Sequence, residues 1–229
     1  MIVIKQNRYY SRLNILLILY PSIMKKSIFT LVVAAFILQS CAKIFYAPDA
    51  RYLAQNQKII AIAPPKVSIA ARKNIDGAAL IEQQKTESAN FQREMYSWML
   101  KRKMQGTISV EIQDVETTIA LLSKAGINEG KILTPYDMCQ ILGVDGILTS
   151  NYSLSKPMSE GAAIAAALLI GSWGATNQAT VSLSIHDSDT KKMIWNYDHK
   201  LSSSLGTPAK LVDDLMREAS RKMPYFTGK

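Results

Sequence analysis

Two cysteines and two histidines among 229 residues leave little material for metal or thiol chemistry. No Cys-x-x-Cys pair is present, which excludes the usual zinc ribbons. Also missing are the His-Glu-x-x-His helix of metalloproteases, a phosphate-binding P-loop and a Gly-x-Ser-x-Gly nucleophile elbow. His186 lies on the polar parity of its strand beside Asp187, and His199 shares the face of Trp195 and Tyr197 on the next strand. Opposite parities on paired strands keep two side chains apart, so one exposed and one packed histidine are expected, with no metal and no cofactor. Paired carboxylates are equally thin. Asp213 and Asp214 are adjacent on a helix and diverge, while Asp187 and Asp189 occupy a turn, where aspartates bond their own backbone. Lys191 and Lys192 next to that turn oppose calcium. The expectation is a non-enzyme with no catalytic residue.

Acidic residues are absent before residue 41, whereas Lys5, Arg8, Arg12, Lys25 and Lys26 all lie there. The formal charge of +9 therefore overstates the body of the chain. Without those five, 22 basic residues face 18 acidic ones, a net +4. Such a surface is ordinary, and nucleic acid is not an expected partner. With 20% charged and 48% hydrophobic residues, the chain fits a globular domain with a substantial core.

Also missing is any apolar run of the ~20 residues that a transmembrane helix needs. The run from Ile28 to Leu38 is shorter, follows Met24-Lys25-Lys26 and leads into Leu38-Gln39-Ser40-Cys41. Charge, apolar stretch and small residue in that order form a secretory signal. Leu38, Ser40 and Cys41 resemble the lipobox of bacterial lipoproteins, with Gln39 standing where a small or β-branched residue is usual. The resemblance implies cleavage between Ser40 and Cys41 and acylation of Cys41, palmitate being a typical chain. Residues 1–40 thus read as a signal peptide, with 24–40 its working part. Residues 1–23 carry a second apolar patch, Ile15 to Tyr20, which fits a true start at Met24; the alternative is a long leading region or an uncleaved anchor. Ala42-Lys43 after the cysteine, in place of a retaining Asp, points to the outer membrane. The absence of an acidic cluster there points to its periplasmic side. If Cys41 carries lipid, Cys139 has no partner and is expected to be a small buried apolar group.

Residues 41–57 show no hydrophobic period and read as a lipidated tether, leaving 58–229 as a single domain. Lys58 to Ala63, stopped by Pro64-Pro65, suits a strand covered on both faces. From Ala78 to Met104 there is neither Gly nor Pro, and Phe91, Met95, Trp98 and Met99 recur at helical spacing. Lys101, Arg102 and Lys103 at the end of this helix complement its dipole, phosphate or acidic lipid being the alternative contact. Thr107 to Gln113 alternates as a strand. Asp114 caps a helix ending at Gly126, and Thr134, Pro135 and Asp137 open another that closes at Gly143. Val144 to Leu154 is the next strand. Alternation through Ala179, Val181, Leu183 and Ile185, then Met193, Trp195 and Tyr197, gives an antiparallel hairpin. A last helix begins at Thr207-Pro208 and stops at Pro224. The class is α/β (α+β), a mixed sheet of about five strands with helices against it.

Lys58-Ile59-Ile60-Ala61-Ile62-Ala63-Pro64, Leu142-Gly143-Val144-Asp145-Gly146-Ile147-Leu148-Thr149, and Asp187 to Trp195 with a closing helix resemble a group of envelope lipoproteins and their relatives. The group includes the curli secretion lipoprotein, the TolB amino-terminal domain and the lipoprotein activators of penicillin-binding proteins. The resemblance covers residues 58–224 and implies a shared α/β fold serving binding and assembly. Two features depart from the group: Lys191 and Lys192, where it often has Gly, and the insert after the third long strand.

That insert, 159–175, is uncharged from Gly161 to Ala175. Its fifteen or so uncharged residues would make a helix of about 22 Å, short of the ~30 Å hydrocarbon core. Gly161/Ala165 and Ala167/Gly171 allow close helix contact. Two readings stay open: a core helix on the sheet, or an interaction surface formed by Ile164, Leu168, Leu169 and Trp173. The leading expectation is a periplasm-facing, lipid-anchored binding or assembly module whose partner is an envelope protein or a second copy. The alternatives are an oligomeric membrane-inserted secretion component, and a small-ligand binder or enzyme using a groove beside the insert.

Overall fold

A computed structural model describes residues 42–70, 77–155, 178–201 and 208–228. The described residues from Ala42 onward belong to one compact unit. In chain order the elements are β1 (Lys43–Tyr46), α1 (Ala50–Asn56), β2 (Ile59–Ile62), β3 (Lys66–Ile69), α2 (Gly77–Met104) and β4 (Glu111–Ile112). There follow α3 (Val115–Lys124), a 3-10 turn (Ile127–Glu129), α4 (Pro135–Leu142), β5 (Gly146–Ser155), β6 (Gln178–Asp187), β7 (Met193–Leu201) and α5 (Pro208–Lys222). The class is mixed α/β, and the sheet has seven strands rather than about five. Its order is β1-β7-β6-β5-β2-β4, with β3 also on β5. β2 and β3 run parallel to β5 and β4 parallel to β2, while β6, β7 and β1 continue antiparallel.

β2 and β3 lie end to end along one side of β5. Ile62 pairs with Leu148 and Lys66 with Asn151, so four steps on one side meet three on the other. Pro64-Pro65 occupies the extra step, since proline has no N–H to give to a ladder. The carbonyls left over at this break are taken by α2. Gln92 Nε2 donates to Ile62 O at 2.7 Å and Ser88 Oγ donates to Pro65 O at 2.6 Å.

The helices form two unequal layers. Ile60 and Ile62 of β2 face one core with Phe91, Met95 and Met99 of α2 and Val212, Leu215 and Met216 of α5. Ala61 and Ala63, on the other parity, meet Leu122 of α3 and Met138, Cys139 and Leu142 of α4. β2 is therefore covered on both faces, as a continuous apolar run requires. Each large side chain so buried contributes about 1.5–3 kcal/mol. The basic run ending α2 is used inside the fold. Arg102 is buried, its Nε 2.9 Å from Ser220 Oγ and its Nη2 3.2 Å from Arg217 O, bolting α2 to α5. Lys103 pairs with Glu111, and Lys101 sits over the Trp98 ring.

Residues 42–57 are a correction to the tether reading. β1 pairs with β7 from Lys43↔Asp198 to Tyr46↔Trp195, and α1 buries Ala50 and Ala54. All four β1 side chains are exposed, so no alternation marks the strand. The strand expected over 107–113 shrinks to Glu111–Ile112, with Ile108 bridging Phe226 instead.

Candidate functional site

The Gly143-Val144-Asp145-Gly146 segment is the centre of the domain's polar chemistry. Gly143 adopts φ 64°, the left-handed turn that ends α4 and swings the chain into β5. Asp145 Oδ2 then accepts from Lys58 N at 2.7 Å and Ile59 N at 3.0 Å, stapling the start of β2 to β5. Gly146 leaves room for Gln57; a Cβ there would stand 2.5 Å from Gln57 Oε1. Buried Gln57 donates through Nε2 to Asp187 Oδ1 at 2.7 Å and accepts from the Tyr225 hydroxyl. The other oxygen of Asp187 accepts from Thr190 N at 2.8 Å and Thr190 Oγ1 at 2.7 Å. Burial, with Asp187, Cys139 and Asp145 nearby, drives the Tyr225 hydroxyl well above its ordinary range. Both Asp187 oxygens and the accepting oxygen of Asp145 are thus engaged by donors of the domain itself. The cluster joins the start of β2, the α4–β5 turn, the β6–β7 turn and the C-terminus. Its chemistry is that of a structural clasp.

Cys139 borders this clasp, and its burial pushes the thiol up to about 11, the Asp187 and Asp145 carboxylates adding to the rise. In the native protein Cys139 is expected to resist a thiol reagent that reacts fully after unfolding, and Cys139→Ala is expected to cost about 1 kcal/mol. Rapid native-state modification would contradict this.

The histidines sit on opposite sides of the hairpin, His186 half-buried rather than exposed and His199 packed. Along β7 the Trp195 and Tyr197 rings stack with centroids 5.9 Å apart, and His199 lies tilted against Tyr197 at 5.8 Å. Burial holds His199 below the usual imidazole value against the opposing carboxylate of Glu218, and burial also lowers His186. Groups that protonate more readily when unfolded stabilise the fold above their unfolded pKa, and that contribution fades as pH falls toward the folded value. Stability is therefore expected to drop on acidification from pH 7.5 through about 6.5, with a shallower slope in His199→Gln. Urea midpoints that stay level between pH 7.5 and 5.5 would contradict it. Among the described residues no group of three His, Cys, Asp or Glu could hold a metal ion.

What the fold leaves outward is surface. Beyond the reach of α3 and α4, the second face of the sheet exposes cross-strand rows such as Ser68, Ser153, Thr180 and Lys200. Of the two strands that end the sheet order, β1 and β4, the first carries the exposed apolar side chains Ile44, Phe45 and Tyr46.

No family model matches the chain, and no curated protein matches it by sequence. Solved structures do. A PelC dodecamer from Paraburkholderia phytofirmans is 10% identical, with a TM-score of 0.37, over 83% of this chain and all of that one. Lipoprotein GNA1162 from Neisseria meningitidis is 12% identical, with a TM-score of 0.39, over 72% of this chain and 96% of that one. The LpoB C-terminal domain from Salmonella enterica is 10% identical, with a TM-score of 0.31, over 67% and 96%. Overlaps this low carry neither a family nor a residue role across.

Of the residues singled out from sequence, Ser40, Cys41, Ile164, Leu168, Leu169 and Trp173 lie outside the described residues. Gln57 and Tyr225 were missed, and the only local signal was a glycine placed at the start of an apolar strand. The exposed apolar edge was missed because its segment read as tether.

Proposed function

We propose that the chain is a non-enzymatic envelope lipoprotein. Cys41 anchors it in the outer membrane, and its α/β domain faces the periplasm as a binding or assembly module. The observation that carries this reading is Leu38-Gln39-Ser40-Cys41 behind a short basic and apolar signal, ending immediately before the folded unit that starts at Ala42. The clasp supports the non-enzymatic part, since its carboxylates are engaged by the fold rather than turned to a cleft. No helix among the described residues is long and apolar enough to cross a membrane.

The partner surface in this reading is the insert carrying Ile164, Leu168, Leu169 and Trp173. Ser155 pairs with Gln178, so β5 and β6 stay in register up to the last described residue on each side of the insert. In the full-length protein, Leu168→Glu is expected to leave the urea midpoint unchanged and to reduce co-purification of envelope partners or of a differently tagged second copy several-fold. Unfolding of the variant would make the insert core. Full folding with unchanged association would remove the insert from the partner surface. Cys41→Ser is expected to move the protein out of the membrane fraction, and retention there would contradict the anchor.

A further inference from the structure

We infer that β1 is a membrane-docking edge, seated in the phospholipid headgroup layer so that the sheet stands edge-on to the bilayer. The inference rests on acylation of Cys41. Lys43, the first residue of β1, follows Cys41 by two residues. Two residues span at most about 7 Å, so an acylated Cys41 leaves no tether, and the edge of the sheet is held at the lipid surface.

The side chains at that edge suit it. Among the described residues, eight large apolar side chains are exposed, and four of them, Ile44, Phe45, Tyr46 and Tyr52, lie in β1 and α1. Phe45 is 48% exposed and Tyr52 68%. Aromatic side chains with one apolar and one wet side favour the headgroup level. Lys43 and Arg51, both exposed, add cations for lipid phosphates.

The backbone sets the depth. Ala47 N bonds to Ile194 O, so by antiparallel alternation Lys43, Phe45 and Ala47 turn their polar groups to β7 while Ile44 and Tyr46 turn theirs outward. Outward N–H and C=O groups need headgroups or water, which bars the edge from the hydrocarbon. Docking at headgroup level meets that need and also covers an edge otherwise open to strand addition.

The test uses the acylated full-length protein in vesicles of phosphatidylethanolamine and phosphatidylglycerol, its acylation verified by mass. Nitroxide labels are attached through Phe45→Cys, Lys43→Cys or, at the far edge, Glu111→Cys. β4 lies five strand spacings from β1, about 24 Å. Collision with oxygen relative to a water-soluble nickel chelate is expected to be several-fold higher at positions 43 and 45 than at 111. Equal ratios in acylated protein would overturn docking while leaving the anchor intact. Exclusion of both reagents at 45 would mean that protein covers the edge, and would overturn docking as well. Protein that is not acylated would overturn anchor and docking together.

Discussion

Gly146→Ala is expected to destabilise the domain by about 2–4 kcal/mol, because the new Cβ displaces a buried amide that bonds a carboxylate. Gly146 has no left-handed backbone, so the requirement for glycine here is one of space. The Cβ would stand 2.5 Å from Gln57 Oε1 and 2.8 Å from its Cδ. Gln57 cannot swing aside freely, since Asp187 and Tyr225 hold its two ends. Pushing it out strips a donor from a carboxylate that is 5% exposed and an acceptor from a buried phenol. The double variant Gln57→Ala/Gly146→Ala is expected to cost clearly less than the sum of the singles, because the first change removes what the second strikes. Additive urea-unfolding energies would show that the clash is relieved some other way.

The second large effect is expected at Phe91→Ala, a loss of about 3–5 kcal/mol. Phe91 is fully buried under the middle of α2, with its ring 4.4 Å from that of Tyr152 on β5. The Tyr152 hydroxyl reaches Met95 Sδ at 3.4 Å, so helix and sheet are also tied one helical turn beyond the ring. Neither wall can close the hole, because α2 is also fixed to α5 through Arg102 and through Trp98 Nε1, 3.0 Å from Asp213 Oδ1. Phe91→Leu, which refills most of the volume, is expected to cost about 1–1.5 kcal/mol. Equal losses for the two variants would mean that the site collapses and that packing is not what the ring supplies.

Local chemistry was legible in the sequence where it is self-contained. Thr134, Pro135, Asp137 and Gly143 specify both ends of α4, and the structure places a capping box and a left-handed turn there. Asp114 accepts from Thr117 N as a cap should, and α2 spans Gly77–Met104 against an expected 78–104. The hairpin alternation emerged with the expected faces along β6 and from Trp195 onward, but the register shift at Ile185/His186 turns Met193, expected beside Trp195, to the exposed side and buries Ile194 instead. Elements that depend on distant partners were not legible. β1 has no buried face and borrows its order from β7, β3 follows a double proline that reads as a stop, and Gln57 meets partners 130 and 168 positions away. Nothing near Gln57 in sequence announces that it will be buried.

The most direct test of the lipid-anchored account is the mass of the N-terminal peptide of the mature protein isolated from membranes. The account predicts a chain that begins at Cys41 and carries a diacylglyceryl thioether and an amide-linked acyl chain. An N-terminus at Met1, Met24 or Ala42, or an unmodified Cys41 thiol in the membrane-derived protein, would contradict it.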